Sequence, residues 1–219
     1  MKYRCLLFDL DGTLVDSSGD LIKSMNLTIV EMGLTPLPAA QIMSFVGEGI
    51  HLLLERALKA ALGRPPASLE AQRGMTSYRR HYSEHLLDET RPYADVEPIL
   101  EYFALMPKGV VTNKPLDFTL RLLDGLNLSR HFEAIIGGDS LADRKPSPGP
   151  VIEAARRCGV EPAHCLMIGD TRIDMEAGRA AGMATCGFIG GFRGRDELTS
   201  ANADFLIESF AELRPLVEA

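Results

Sequence analysis

The chain has no excess of positive charge: 23 lysines and arginines stand against 30 acidic residues, a net charge of −7 with histidine neutral. A nucleic acid or an anionic membrane would need a basic surface, so neither is an expected partner. Long apolar runs are missing too. None approaches the roughly 18 residues that a membrane helix requires, and the N-terminus has no basic segment followed by a long apolar block, so a cytoplasmic location is expected. Cysteine is scarce, and Cys5, Cys158, Cys165 and Cys186 show no C-x-x-C spacing. Neither a zinc knuckle nor a disulfide framework is indicated, which leaves buried reduced thiols. What is present is ordinary for a globular protein, 46% hydrophobic and 24% charged, and 219 residues suffice for a real core, with or without an inserted module.

Several short apolar runs end in Gly, Asp, Thr or Asn: RCLLFD, GVVTN, EAIIGGD and HCLMIGD, with ATCGFIGG a weaker case. Helical patterns lie between them, such as Phe118-Leu122-Leu123-Leu126 and Val151-Ile152-Ala155. Strands alternating with helices predict an α/β fold, a parallel sheet covered on both faces, with ligands bound beyond the carboxyl ends of the strands. Residues 17–91 break the rhythm. Leu21-Met25-Ile29-Met32, Ile50-Leu53-Leu54-Ala57-Leu58 and Leu69-Tyr78-Tyr82-Leu86 have helical spacing, and no strand pattern intervenes. An all-helical module over 17–91 is therefore expected inside a core formed by 1–16 and 92–219, with its exits at Asp16 to Ser18 and at Arg91-Pro92.

The stretch FDLDGTLVDS, from Phe8 to Ser17, carries the first chemical signal. Side chains at i and i+2 of an extended strand share a face, so Asp9 and Asp11 would lie close and repel; something must use that charge. Three more polar clusters follow similar runs: Thr112 with Asn113, Lys145 in RKPSPGP, and Asp170 with Asp174 in GDTRID. Each alone has a plain structural reading. Asp170 would cap a helix, Thr112 and Asn113 would close a turn, and a lone lysine is usually solvated. Their conjunction in order is harder to attribute to chance, since a D-x-D-G-T string alone is expected in about one chain of this length in a thousand.

Carboxylates that converge in one crevice stay ionised only beside a cation, and a hard oxygen-ligated ion such as Mg²⁺ suits that donor set and a phosphate together. Asp9 could then attack phosphorus as a covalent nucleophile, and Asp11 could protonate the leaving alkoxide and later deprotonate water. Lys145, Thr112 and Asn113 would hold the phosphoryl oxygens.

The set FDLDGTLVDS, VVTNK, RKPSPGP and GDTRID resembles the four motifs of the haloacid dehalogenase superfamily, in their order and over essentially the whole chain. Within it, FVGEGIHLLLERAL, RPYADVEPIL, VVTNKP and IIGGDS are similar to the phosphoglycolate phosphatases. The resemblance implies a Rossmann-like core with an inserted helical cap. It implies Asp9 as nucleophile, Asp11 as acid/base, and Thr112, Asn113 and Lys145 on the phosphate. Mg²⁺ would be held by Asp9, Asp170 and the backbone carbonyl of Asp11, with Asp174 ligating directly or through water. Gly12, in the first motif, and Gly47, in the cap, join the expected substrate contacts. An Asp at position 11 separates the chain from the dehalogenases and phosphonate hydrolases of the superfamily. The one departure is EYFALMPKGVVTN, shorter than usual and turning at Pro107-Lys108.

Weaker signals are read blandly. His81 and His85 share a helix face without an obvious third ligand, so a solvated face is expected. Gly47-Glu48-Gly49 serves equally as a helix entry or as a turn approaching the substrate. GFIGGFRGRDEL lacks the spacing of a nucleotide fingerprint and is read as a loop beside the cleft, with Arg193 or Arg195 near an anion. The expected activity is hydrolysis of a small phosphorylated metabolite, 2-phosphoglycolate foremost, by a monomer or homodimer. A pyrophosphatase, a sugar-phosphate phosphatase or a phosphosugar mutase would share these motifs, and a non-catalytic binding protein on the same fold is the alternative of a different class.

Overall fold

The computed structural model of the chain describes residues 2–218. They form two compact units, one running to Asp16 and resuming at Arg91, the other Ser17–Thr90. The first opens with β1 (Cys5–Phe8) and β2 (Val15–Asp16), and the second holds α1 (Ser18–Glu31), α2 (Ala39–Met43), α3 (Ile50–Leu62) and α4 (Ser68–His85). The first unit resumes with β3 (Arg91–Pro92), α5 (Val96–Tyr102), β4 (Lys108–Val111), α6 (Leu116–Gly125), β5 (Ala134–Ile136) and α7 (Gly149–Arg157). It ends with β6 (Cys165–Gly169), α8 (Arg172–Ala180), β7 (Ala184–Phe188), α9 (Arg195–Ser200), β8 (Phe205–Ile207) and α10 (Leu213–Glu218).

In the first unit six strands make one sheet in the order β5-β4-β1-β6-β7-β8, each neighbouring pair parallel. β1, β4 and β6 are buried along their whole length, as strands covered on both faces must be; β1 and β6 are apolar throughout, and β4 is so after its first residue, Lys108. Counted within the sheet alone, the strand order is that of the doubly wound Rossmann-type fold, and it reverses beside β1. The crevice at that reversal lies beyond the carboxyl ends of β1 and β6, where Asp9 and Asp170 follow in the chain. One side of the sheet packs Leu7, Val111 and Met167 against Val151 and Ala155 of α7 and Ala177 of α8. Ile152, counted with the apolar face of α7 in the sequence, is 42% exposed instead.

Three local features depart from expectation. Lys108 is the first residue of β4 and is buried, and its Nζ donates to the carbonyls of Phe103 (2.7 Å) and Met106 (2.6 Å). The shortened segment before β4 is thus closed by a lysine that satisfies backbone acceptors just beyond the end of α5. Arg91, assigned to the helical stretch, pairs with Asp16 in the two-stranded antiparallel ribbon of β2 and β3 and belongs to the first unit. β8 carries no strong sequence signal, being three residues long and only partly buried.

The second unit contains helices alone among its described regular elements. Leu21, Met25 and Ile29 of α1 and Leu53, Leu54, Ala57 and Leu58 of α3 are buried at the expected spacing. On α4, Tyr78 and Tyr82 are buried and stack with ring centroids 5.7 Å apart, whereas Leu69 is 66% exposed. Gly74 has no side chain because a Cβ there would press into Leu58. Asp20, fully buried at the start of α1, accepts from the amides of Glu89 and Thr90 and from the Thr90 hydroxyl (2.7 Å), which ties the two ends of the unit together.

Candidate active site

β1 delivers Asp9 immediately after its last residue, with the Asp9 amide still donating to the Ile168 carbonyl of β6 (2.9 Å). β6 delivers Asp170 in the same way, and the first turn of α8 supplies Asp174. One carboxylate oxygen from each of Asp9, Asp170 and Asp174 lies within 4.8 Å of the other two, and all three residues are buried. The glycines leave room for this crowding. A Cβ on Gly12, whose φ of +85° favours glycine in any case, would strike the Asp170 carboxylate, and one on Gly169 would strike that of Asp174.

Lys145 ties the cluster together. Its buried ammonium donates to Asp9 Oδ1 (2.9 Å), to Asp174 Oδ1 (2.6 Å) and to the Val111 carbonyl at the end of β4. Burial alone would lower the lysine's pKa, but Asp174 and Asp9 outweigh it and hold Lys145 firmly protonated. Asp174 Oδ2 accepts from the amide and the hydroxyl of Thr171 (3.1 and 2.7 Å), so both oxygens of that carboxylate are engaged. Asp170 accepts from Thr13 Oγ1 (3.2 Å) and from the Phe192 amide (2.7 Å).

One ammonium does not balance three carboxylates. Burial pushes Asp9 up to about 6 against the pull of Lys145, and Asp174 and Asp11 push the same way. Burial, reinforced by Asp174 and Asp9, holds Asp170 well above the usual carboxylate range. A buried oxygen-only donor set short of positive charge, with space kept open by glycines, fits a small hard divalent cation.

Asp11 meets a different partner. Both of its oxygens accept from the ammonium of Lys114, at 2.7 and 2.8 Å. The two aspartates of the first motif are therefore separated onto two lysines, a resolution of their repulsion that the i, i+2 spacing did not reveal. Lys114 is held by its backbone: its amide donates to Thr112 Oγ1 (3.2 Å) and its carbonyl accepts from Gly138 (2.7 Å). A side chain on Gly138 would collide with the Asn113 carbonyl.

The remaining expected residues are distributed unevenly. Thr112 and Asn113 are buried beside the cluster, and Asn113 Nδ2 donates to the Lys145 carbonyl (2.9 Å), bracing the lysine's backbone. The Gly12 amide is committed to the Val15 carbonyl (2.8 Å), so Gly12 serves by backbone shape and absence of a side chain, not as a donor to substrate. Gly47 lies in the second unit, in the turn that enters α3, where Gly49 is the N-cap and Glu48 pairs with Arg56 (2.7 Å). The glycine-rich segment after β7 contributes through the Phe192 amide, while Arg195 pairs with Glu208 (2.7 Å).

Lys114, Thr13, Thr171 and Phe192 are the site residues that sequence reasoning passed over. Lys114 and Thr13 stand inside the quoted motif strings. The Phe192 amide has no side-chain signal. On α4, Glu84 supplies the third group near His81 and His85, with one ligand atom of each within 4.8 Å of the others. Those histidines already face carboxylates, His81 Nε2 with Glu31 and His85 Nδ1 with Asp88, each at 2.8 Å, and Arg80 and Lys23 bring positive charge to the same pairs. This is a solvated ion-pair network on a helix face.

The fold and this arrangement define a class. Residues 6–188 match the model of the haloacid dehalogenase-like hydrolases; the chain belongs to that family and is a phosphatase within it. It is 37% identical over 215 residues to a phosphoglycolate phosphatase of Neisseria meningitidis, covering 96% of this chain and 92% of that one. It is 36% identical to a phosphoglycolate phosphatase of Aquifex aeolicus, covering 98% and 97%. Among solved structures, one described as a predicted phosphoglycolate phosphatase from Haemophilus somnus superposes with a TM-score of 0.93 at 28% identity, over 99% of this chain and 98% of that one. No helix among the described residues is long and apolar enough to cross a membrane.

Proposed function

We propose that this phosphatase hydrolyses 2-phosphoglycolate with Mg²⁺, through a phosphoryl group carried on Asp9. The observation that carries the reading is Lys145 bridging Asp9 and Asp174 while Asp170 stands within 4.8 Å of both. Lys145 engages one oxygen of Asp9, and the other attacks phosphorus as the ester bond to the leaving oxygen breaks. Asp11 gives that oxygen its proton, then takes one from the water that attacks phosphorus and releases phosphate from Asp9. Thr112, Asn113 and Lys145 hold the phosphoryl oxygens. Asp9, Asp170 and the Asp11 carbonyl would hold Mg²⁺, with Asp174 ligating directly or through water, one oxygen of each of the three carboxylates standing within 4.8 Å of the others. When bound, the ion neutralises the carboxylates and polarises a phosphoryl oxygen.

The choice of substrate is supported by the names of relatives such as those of Neisseria meningitidis and Aquifex aeolicus, 37% and 36% identical to this chain over 92% and 97% of their own length. The test is phosphate release with Mg²⁺ across 2-phosphoglycolate, pyrophosphate and sugar phosphates, comparing the natural chain with Asp9→Asn. Preference for 2-phosphoglycolate and loss of turnover in the variant are expected. Substantial activity in the variant would reject Asp9 as nucleophile, a higher kcat/KM for another ester would replace the substrate, and isomerised sugar without free phosphate would indicate a mutase.

A further inference from the structure

We propose that Lys114 reads the leaving group: its ammonium exchanges the carboxylate of Asp11 for the carboxylate of the substrate, and so selects phosphate esters that carry an acid next to the ester carbon. The inference rests on the reading of the site as a phosphomonoesterase and names what recognises its substrate. The Lys114 side chain is 4% exposed and grips both oxygens of Asp11, at 2.7 and 2.8 Å, in the manner of a pair built to stay together. Yet Asp11 is the group that must give and take a proton at the ester oxygen, and a carboxylate with both oxygens held by one ammonium has to surrender a contact to do so. A buried ammonium that loses an anion must find another, because an uncompensated charge out of water is costly.

In 2-phosphoglycolate the anion is at hand. Its carboxylate is separated from the ester oxygen by a single methylene carbon, so a cation seated on Asp11 lies where that carboxylate arrives. Lys145 is placed differently: its ammonium sits on Asp9 and Asp174, where the phosphoryl group is handled, whereas that of Lys114 sits on the acid/base group Asp11. The Lys114 backbone is pinned through Thr112 Oγ1 and Gly138, so the ammonium is presented from a fixed base and only its flexible stem needs to move. An ester with no acid in this place leaves Lys114 paired with Asp11 and the acid/base group restrained.

The test compares kcat/KM for 2-phosphoglycolate and for 2-hydroxyethyl phosphate, which replaces the carboxylate by a hydroxymethyl group, using the Mg²⁺-loaded natural chain, Lys114→Met and Lys114→Arg. A hydrogen-bonded charge pair of this kind is worth a preference on the order of 10- to 100-fold, and that ratio collapses to a few-fold in Lys114→Met and is largely kept in Lys114→Arg. Calorimetric binding of the two esters in an Asp9→Asn background moves in the same way. Equal losses on both esters in Lys114→Met would overturn the proposal and leave Lys114 as a positioning residue for Asp11. A natural chain that does not distinguish the two esters would overturn it without any variant, which covers the case in which Lys114→Met fails to fold. Failure of the underlying reading has its own signature, no Mg²⁺-dependent turnover of either ester by the natural chain, and the inference falls with it.

Discussion

Both units bury a carboxylate completely, and they do so for opposite ends. Asp20 in the helical unit is surrounded by donors: two backbone amides and a hydroxyl satisfy it, and it ties the two ends of that unit. Asp170 in the sheet unit is surrounded by other carboxylates, and two donors leave its pKa far above the ordinary range because of burial and of Asp174 and Asp9. Elsewhere the helical unit keeps its ion pairs outside, as in Lys23 with Asp88 and Arg80 with Glu31. Saturated buried charge is architecture. Buried charge left short of compensation costs stability and persists where something else is to be bound.

The comparison breaks first at Asp9. Asp9→Asn is expected to lower kcat with Mg²⁺ by on the order of 10⁴-fold or more, because no other group can take over the bond to phosphorus, and a phosphate-release assay checks it. Next comes Asp20→Ala, which strips the acceptor from several buried donors and should cost about 2–4 kcal/mol in denaturant unfolding, while leaving kcat of the folded fraction intact. Asp170→Asn should do the reverse in chelator: the metal-free chain becomes more stable at neutral pH, and Mg²⁺ no longer raises its melting temperature.

A smaller effect is the pH dependence of the metal-free chain. Asp9 titrates at about 6 when folded against an ordinary 3.8, so between these values the folded chain holds a proton that the unfolded chain has released. Stability therefore falls as pH rises across that interval, by about 3 kcal/mol from this group, and Asp170 extends the loss to higher pH. Saturating Mg²⁺ should flatten the slope in thermal melts. Smallest of all is Lys23→Ala, which opens an exposed pair and should leave the unfolding midpoint within the reproducibility of the measurement.

The alternation of apolar runs and helical patterns made the sheet unit legible, because strands buried on both faces must be apolar throughout, and Cys5–Phe8 and Cys165–Gly169 are. Asp9 and Asp170 were legible for a related reason: polar residues that end such strands are delivered to one crevice by the topology, whereas Asp174, in the first turn of α8, and Lys145, in the loop between β5 and α7, were legible from the motif strings that carry them. Short or half-buried elements were not. β2, β3 and β8 have too few residues for periodicity to register, and Leu69 and Ile152 fit an apolar stripe that packing did not use.

From the amino acids alone came the class of fold and the acidic set, since spacing and side-chain chemistry are local properties. Only the folded chain decided which lysine answers which aspartate, that the Gly12 amide is spent within its own turn, and that the Phe192 amide serves Asp170. Such pairings join residues as much as 136 positions apart, and at that range geometry assigns the partners and spacing does not.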